Sequence, residues 1–148
     1  MPLFWAVYAP QCHDRNVNRA DAIWNRAALE YGGPRPLSGD SALAAALRLH
    51  NLAMNSGVLD AIERLADSEL DEAQRGYAWL GRPDAAKVIA LVRDQIRAGT
   101  LADDDRAERL ELEADQRYAM VIPADDTLYD AFRHRLAEEP SAFADTRE

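Results

Sequence analysis

Few residues in this chain have the type and spacing to do chemistry, and their arrangement excludes most of it. Cys12, His13 and Asp14 are consecutive. Neighbouring side chains rarely point at one another, and a Cys–His dyad is normally assembled from distant segments, so a surface thiol beside a loop histidine is expected. The histidines are His13, His50 and His134. No His-x-x-x-His pair, no Glu-x-x-His and no second cysteine accompany them, so a zinc-type donor set is missing. Gly32-Gly33 runs into Pro34, which has no N–H to offer a phosphate, and no Lys-Ser or Lys-Thr follows a glycine-rich stretch. Asp103-Asp104-Asp105 lacks the alternation and the turn glycine of a calcium loop. No metal and no cofactor is expected. His50 precedes Asn51 in a helical stretch and reads as a hydrogen-bonded, partly buried polar pair; the enzyme alternative is a small pocket near His50, Asn51 and Asn55. His134, between Arg133 and Arg135, reads as solvated.

The remaining signal is negative charge. The formal net charge is −9, from 26 acidic and 17 basic residues. Residues 1–100 contribute −1 and residues 101–148 contribute −8. Asp103, Asp104, Asp105, Glu108, Glu111, Glu113 and Asp115 fall within thirteen residues, and Asp125, Asp126 and Asp130 follow. The bland interpretation is an ordinary solvated helix in an acidic protein. The functional one is a patch that occupies a basic surface on another protein. Nucleic acid is not expected as a direct ligand, because phosphate neutralisation needs clustered Lys and Arg, whereas 26 acids outnumber 17 bases. Helix residues four apart rise about 6 Å, while each DNA strand offers a phosphate every ~3.4 Å of axis. One helix therefore cannot imitate a duplex. Further acids from a second element or a second subunit are required, with Asp125, Asp126, Asp130, Glu138 and Glu139 as candidates. Asp60, Glu63, Asp67, Glu69, Asp71 and Glu72 form another pool, diluted by Arg64 and Arg75.

Helices must position these groups. Ala, Leu, Arg and the acids dominate while Val, Ile and Thr are sparse, a mixture that favours helix over sheet. At 148 residues and 48% hydrophobic composition, one domain with a substantial core is expected. Leu3–Ala9 reads as an apolar N-terminal extension over residues 1–17. Asn18 or Asp21 caps a helix reaching Tyr31, with Ile23, Trp24, Ala27 and Ala28 inward. Ser38 or Asp40 opens an Ala-rich, central helix that stops at Asn55-Ser56-Gly57. Val58, Leu59, Ile62 and Leu65 resume helical spacing. Ser68 caps the next helix, which ends at Gly81. Pro83 starts another that stops at Gly99. The Asp103–Asp105 run opens a helix whose inward stripe is Ala107, Leu110, Ala114 and Tyr118, with Glu113 able to pair with Arg117. Asp125 or Asp126 caps the last helix, with Leu128, Tyr129, Phe132 and Leu136 inward. Pro140 ends it, and residues 144–148 read as a frayed tail. The sum is an irregular all-α bundle of about seven helices with short loops.

Asn55, Gly57, Val58 and Ile62, followed by Leu80, Gly81, Ala85, Ala86 and Ile89 and closing with Asp126, Leu128, Tyr129, Phe132 and Leu136, resemble a domain-of-unknown-function family. That family includes a small acidic bacterial DNA-mimic protein, and the resemblance spans about residues 47–143. Ser56 stands where the family prefers Gly. The resemblance implies an all-α fold, a structural role for Asn55, Gly57 and Gly81, and an acidic protein that competes with DNA for a basic partner. A second binding alternative is an immunity protein that neutralises a toxin. The single cysteine and the lack of a basic lead or a spanning apolar run point to a cytoplasmic bacterial protein with no membrane role.

Overall fold

The computed structural model describes the backbone from Arg15 to Thr146 and side chains from Arg19 onward. The Leu3–Ala9 extension, the Cys12-His13-Asp14 cluster and the Asn18 side chain lie outside those residues. Seven α-helices make up the described chain, with no strand among them. They are α1 (Arg15–Glu30), α2 (Ser38–Ser56), α3 (Val58–Arg64), α4 (Asp67–Trp79), α5 (Pro83–Arg97), α6 (Asp104–Val121) and α7 (Asp125–Glu138). Short 3-10 turns at Thr100–Ala102 and Pro140–Ala142 follow α5 and α7.

The Ala-rich α2 is the hub. It packs most closely on α4 and also meets α1 and α3; α4 continues onto α5, and α6 lies across α3 and α5. Small residues permit this closeness. A Cβ built on Gly76 of α4 would come within 2.4 Å of the Ala42 carbonyl oxygen on α2. Leu43, Leu47 and Leu49 of α2, Ile23 of α1, Ile89 of α5 and Leu128 and Phe132 of α7 are fully buried around that crossing. Burial of each such side chain contributes about 1.5–3 kcal/mol. The step from α2 to α3 is made at Gly57, whose φ of 96° is open to glycine and costly for other residues.

Charged pairs anchored on buried residues tie the helices together. Arg93 on α5 is buried and donates to Asp71 Oδ1 at 2.8 Å and Gln74 Oε1 at 2.7 Å on α4, with Asp67 at 3.4 Å. Asp40 is wholly buried. Its Oδ1 accepts from Arg26 of α1 at 2.9 Å, and its Oδ2 accepts from the backbone N–H of Leu37 at 3.0 Å and of Ala144 at 2.8 Å.

Several boundaries differ from the sequence expectation. Helix α1 begins at Arg15, ahead of Asn18 and Asp21, so the last residues of the expected 1–17 extension are helical. Helix α4 begins at Asp67 after Ala66, because Glu69 reaches back to accept the Ala66 N–H at 2.9 Å. Asp125 is the first residue of α7, after Ala124. The tail expected to fray from Ala144 is pinned at its first two residues, where Arg26 donates to the carbonyls of Ala144 and Asp145 at 3.1 and 3.0 Å.

Candidate functional site

Helix α6 carries the first group of acids. Asp103 caps it, accepting the Asp105 N–H at 3.1 Å. Leu110, Ala114 and Tyr118 face inward. At 100° per residue, Asp104, Glu108, Glu111 and Asp115 follow an i, i+4, i+7, i+11 rhythm along one flank of that stripe, over about 16 Å. Asp104, Glu108 and Glu111 are exposed and join no ion pair among the described residues. Asp115 turns its carboxylate to the start of α3, where Oδ1 accepts the Val58 N–H at 2.9 Å. Glu113 falls on the other flank, with Arg106, Arg109 and Arg117, and Asp105 lies on the outer face between the two flanks; Glu113 pairs with Arg117 at 3.2 Å. The ten acids singled out in the sequence therefore do not share one surface.

The acids of the neighbouring helices are mostly matched. On α7, Asp126 and Asp130 are exposed and unpaired among the described residues, whereas Glu138 and Glu139 pair with Arg135 at 3.5 and 3.0 Å. His134 is exposed and approaches Glu138 at 3.3 Å. Asp60 pairs with Arg64, and Glu69 with Arg48. Hydrogen bonds hold the carboxyls of Asp60, Glu69 and Asp71 below the usual range, chiefly from Ser56, the Ala66 backbone and Arg93 respectively.

Asp125 has a different task. Its Oδ1 lies 2.7 Å from His50 Nε2, and His50 Nδ1 lies 2.8 Å from the Tyr118 hydroxyl. The Tyr118 hydroxyl is in turn 2.6 Å from that of Tyr77. A carboxylate only accepts, so Nε2–H donates to Asp125; with a neutral imidazole, Nδ1 then accepts the Tyr118 O–H and the Tyr118 oxygen accepts the Tyr77 O–H. Every donor in the row is satisfied, and the row joins α4, α6, α2 and α7. Burial pushes both tyrosine hydroxyls well above their ordinary range. The order carboxylate, imidazole, hydroxyl is that of a hydrolytic triad. Here, however, Tyr118 is 1% exposed and Tyr77 0%, so the hydroxyl end is closed to a substrate. His50 thus bonds to other helices instead of forming a pair with Asn51.

Asn51 and Asn55 sit on another side of α2, in a recess of about 210 Å³ shared with Arg48 and Tyr31. His50 does not line it, so the three residues of the enzyme alternative do not converge. Tyr31, Ala44 and Arg48 also line a cleft of about 530 Å³ between α2 and α4, edged in addition by Glu69, Glu72, Arg75 and Trp79. Arg48 lies 4.2 Å over the Tyr31 ring. The walls alternate in charge, so the cleft offers no set of like donors to an anion. Gly57 and Gly81 both have positive φ, 96° and 86°, and serve as helix stops. Asp115 beside Gly57 and the buried Asp40 were not legible as site-building residues, since their partners lie on distant helices.

Among the described residues, no three His, Cys, Asp or Glu side chains gather at a metal-sized site, and no helix is long and apolar enough to cross a membrane. No protein-family model, curated protein or solved structure matches the chain.

Proposed function

We propose that this is an acidic protein-binding module whose α6 flank occupies a basic surface on another protein. One observation carries the reading. Asp104, Glu108 and Glu111 stand in a row on one helix flank with no arginine spent on them, whereas Asp60, Asp67, Glu69, Asp71, Glu138 and Glu139 are each paired with an arginine. An unmatched row of like charge on a rigid helix raises the rate of encounter with an opposite surface and sets its register. The resemblance through Asn55, Gly57 and Gly81 adds support for a DNA-binding protein as the partner. The single row favours engagement of a basic stripe over replication of a whole duplex, since α7 contributes only Asp126 and Asp130 as further unpaired acids. A basic toxin is the same chemistry from a second source.

The test is a pull-down at low salt with wild-type chain and a D104N/E108Q/E111Q chain as parallel baits. The reading expects a basic protein retained by the wild type and lost from the triple variant. Equal recovery on both baits, or no basic protein on either, contradicts it. Whether the captured protein binds DNA or is a toxin distinguishes the two sources.

A further inference from the structure

Residues 140–145 cross α1 and the first turn of α2 as a strap, and the way they are held is that of a bound peptide. Arg19, Arg26 and Asp40 each reach this strap at its main chain. Arg19 Nη2 donates to the carbonyls of Pro140 and Phe143, each at 3.3 Å. Arg26 donates to those of Ala144 and Asp145 at 3.1 and 3.0 Å. Asp40 Oδ2 accepts the Ala144 N–H at 2.8 Å. One large side chain is inserted: Phe143 is buried, edge-on to Phe132 at 5.5 Å and Trp79 at 5.8 Å. Its ring lies so close to Gly39 that a Cβ there would meet it at 2.8 Å. Ala142 is buried beside it, and its carbonyl oxygen is equally close to Gly39.

Hydrogen bonds to a main chain, with a pocket for one anchor side chain, are a general means of gripping a peptide: the backbone supplies affinity and the pocket supplies specificity. We propose that Arg19, Arg26, Asp40 and the Phe143 pocket form a peptide-binding cradle, which segment 140–145 fills in cis. The occupant it accepts in trans is a segment of another protein shaped like the strap, with one 3-10 turn ending in a small residue and an aromatic anchor in extended backbone directly after it. The covalent link through Glu139 gives the strap an effective concentration on the order of 1 mM. A competing segment therefore displaces it only if it binds well below that value or arrives tethered. This site is separate from the α6 flank.

The experiment places a protease recognition sequence between Glu139 and Pro140 of the full chain and cuts it after folding. A labelled peptide with the sequence of residues 140–148 is then titrated, read by fluorescence anisotropy, with helicity followed by circular dichroism. The proposal expects the cut chain to stay helical, the resident segment to exchange, and the labelled peptide to bind saturably. An F143A version of the peptide binds at least tenfold more weakly. A peptide keeping only Ala-Phe-Ala in a Gly/Ser background binds within about tenfold of the parent. The uncut chain binds the parent peptide at least tenfold more weakly than the cut chain. Loss of helicity on cutting would make the strap an inseparable part of the core and overturn the proposal. So would a resident segment that never exchanges, a cut chain that ignores the labelled peptide, or an F143A peptide that binds as well as the parent.

Discussion

Gly76→Ala tests the packing argument because two ordinary rules point in opposite directions. In a helix interior, replacing Gly by Ala is favourable by up to about 1 kcal/mol. At Gly76 the new Cβ comes within 2.4 Å of the Ala42 carbonyl oxygen, whereas ordinary contact begins at 3.4 Å. The obstacle is backbone, so no side chain can swing aside, and α2 and α4 must part by roughly 1 Å. Overpacking costs typically about 1–3 kcal/mol, occasionally more, and a rigid obstacle at the hub places this case at the upper end. The net expectation is destabilisation by about 2 kcal/mol. For a chain of this size that corresponds to a fall in Tm of roughly 6–8 °C. Urea denaturation followed by circular dichroism measures it, with Ala78→Gly in the same helix as the control. Ala78 is exposed, so its replacement should cost only the propensity difference of about 1 kcal/mol. An unchanged or raised urea midpoint for Gly76→Ala would refute the close crossing of α2 and α4.

Three further outcomes follow from the buried polar groups. Tyr118→Phe leaves the Tyr77 O–H without its acceptor and His50 Nδ1 without its donor, so it should cost about 2–3 kcal/mol; Tyr77→Phe removes one donor from the Tyr118 oxygen but leaves the Tyr118 O–H on His50, and should cost only about 1 kcal/mol. Reversal of that order in urea titrations contradicts the assigned direction of the row. The folded-state hydroxyl pKa values of Tyr77 and Tyr118 are raised by burial, and that of Tyr129, chiefly by burial with Asp21 adding to it, to about 12. Such groups hold protons in the folded state that the unfolded chain has released, so their stability contribution is intact below about pH 10 and is lost as pH rises beyond it. Absorbance at 295 nm should show these tyrosines ionising together with loss of helicity; their ionisation at pH 10 in a fully helical chain contradicts the buried placement. Asp40→Asn leaves Arg26 without its counter-charge at a buried position and should cost about 3–5 kcal/mol, read as a urea midpoint; a change below 1 kcal/mol would place the pair in solvent.

The helical architecture was legible because its signals are local. Gly57, Gly81 and Gly99 with Pro83 punctuate the chain, and stripes such as Leu110, Ala114 and Tyr118 repeat at helical spacing within one segment. What was hidden depends on a partner from elsewhere. Asp40 looks like an N-terminal helix acid, yet its charge is met by Arg26 and by the backbone of Ala144, at the far end of the chain. Asp125 looks like a surface cap, yet it accepts from His50, seventy-five residues away. Asp115 looks like one more outward acid, yet it caps α3. Glu69 displaced Ser68 as the organiser of the start of α4 because a carboxylate reaching back to the Ala66 N–H competes with a serine cap. Gly39 and Gly76 carry no turn signal at all, and their role is set by neighbours that only the tertiary structure supplies. The Glu113–Arg117 pair and the opening of α6 by the Asp103–Asp105 run were readable, being local to one helix.

The central claim is that the α6 row, and not net charge alone, engages a basic partner. Its most direct test is the salt dependence of binding to the protein captured by the wild-type bait. Titration calorimetry at several salt concentrations would compare wild type, D104N/E108Q/E111Q, and E30Q/E63Q/E72Q, which removes the same charge from α1, α3 and α4. The account predicts wild-type affinity that falls steeply with salt, a control that keeps that affinity and slope to within a few-fold, and a row variant that loses most of both. Equal losses in the two triple variants would show that charge location is irrelevant and contradict the claim.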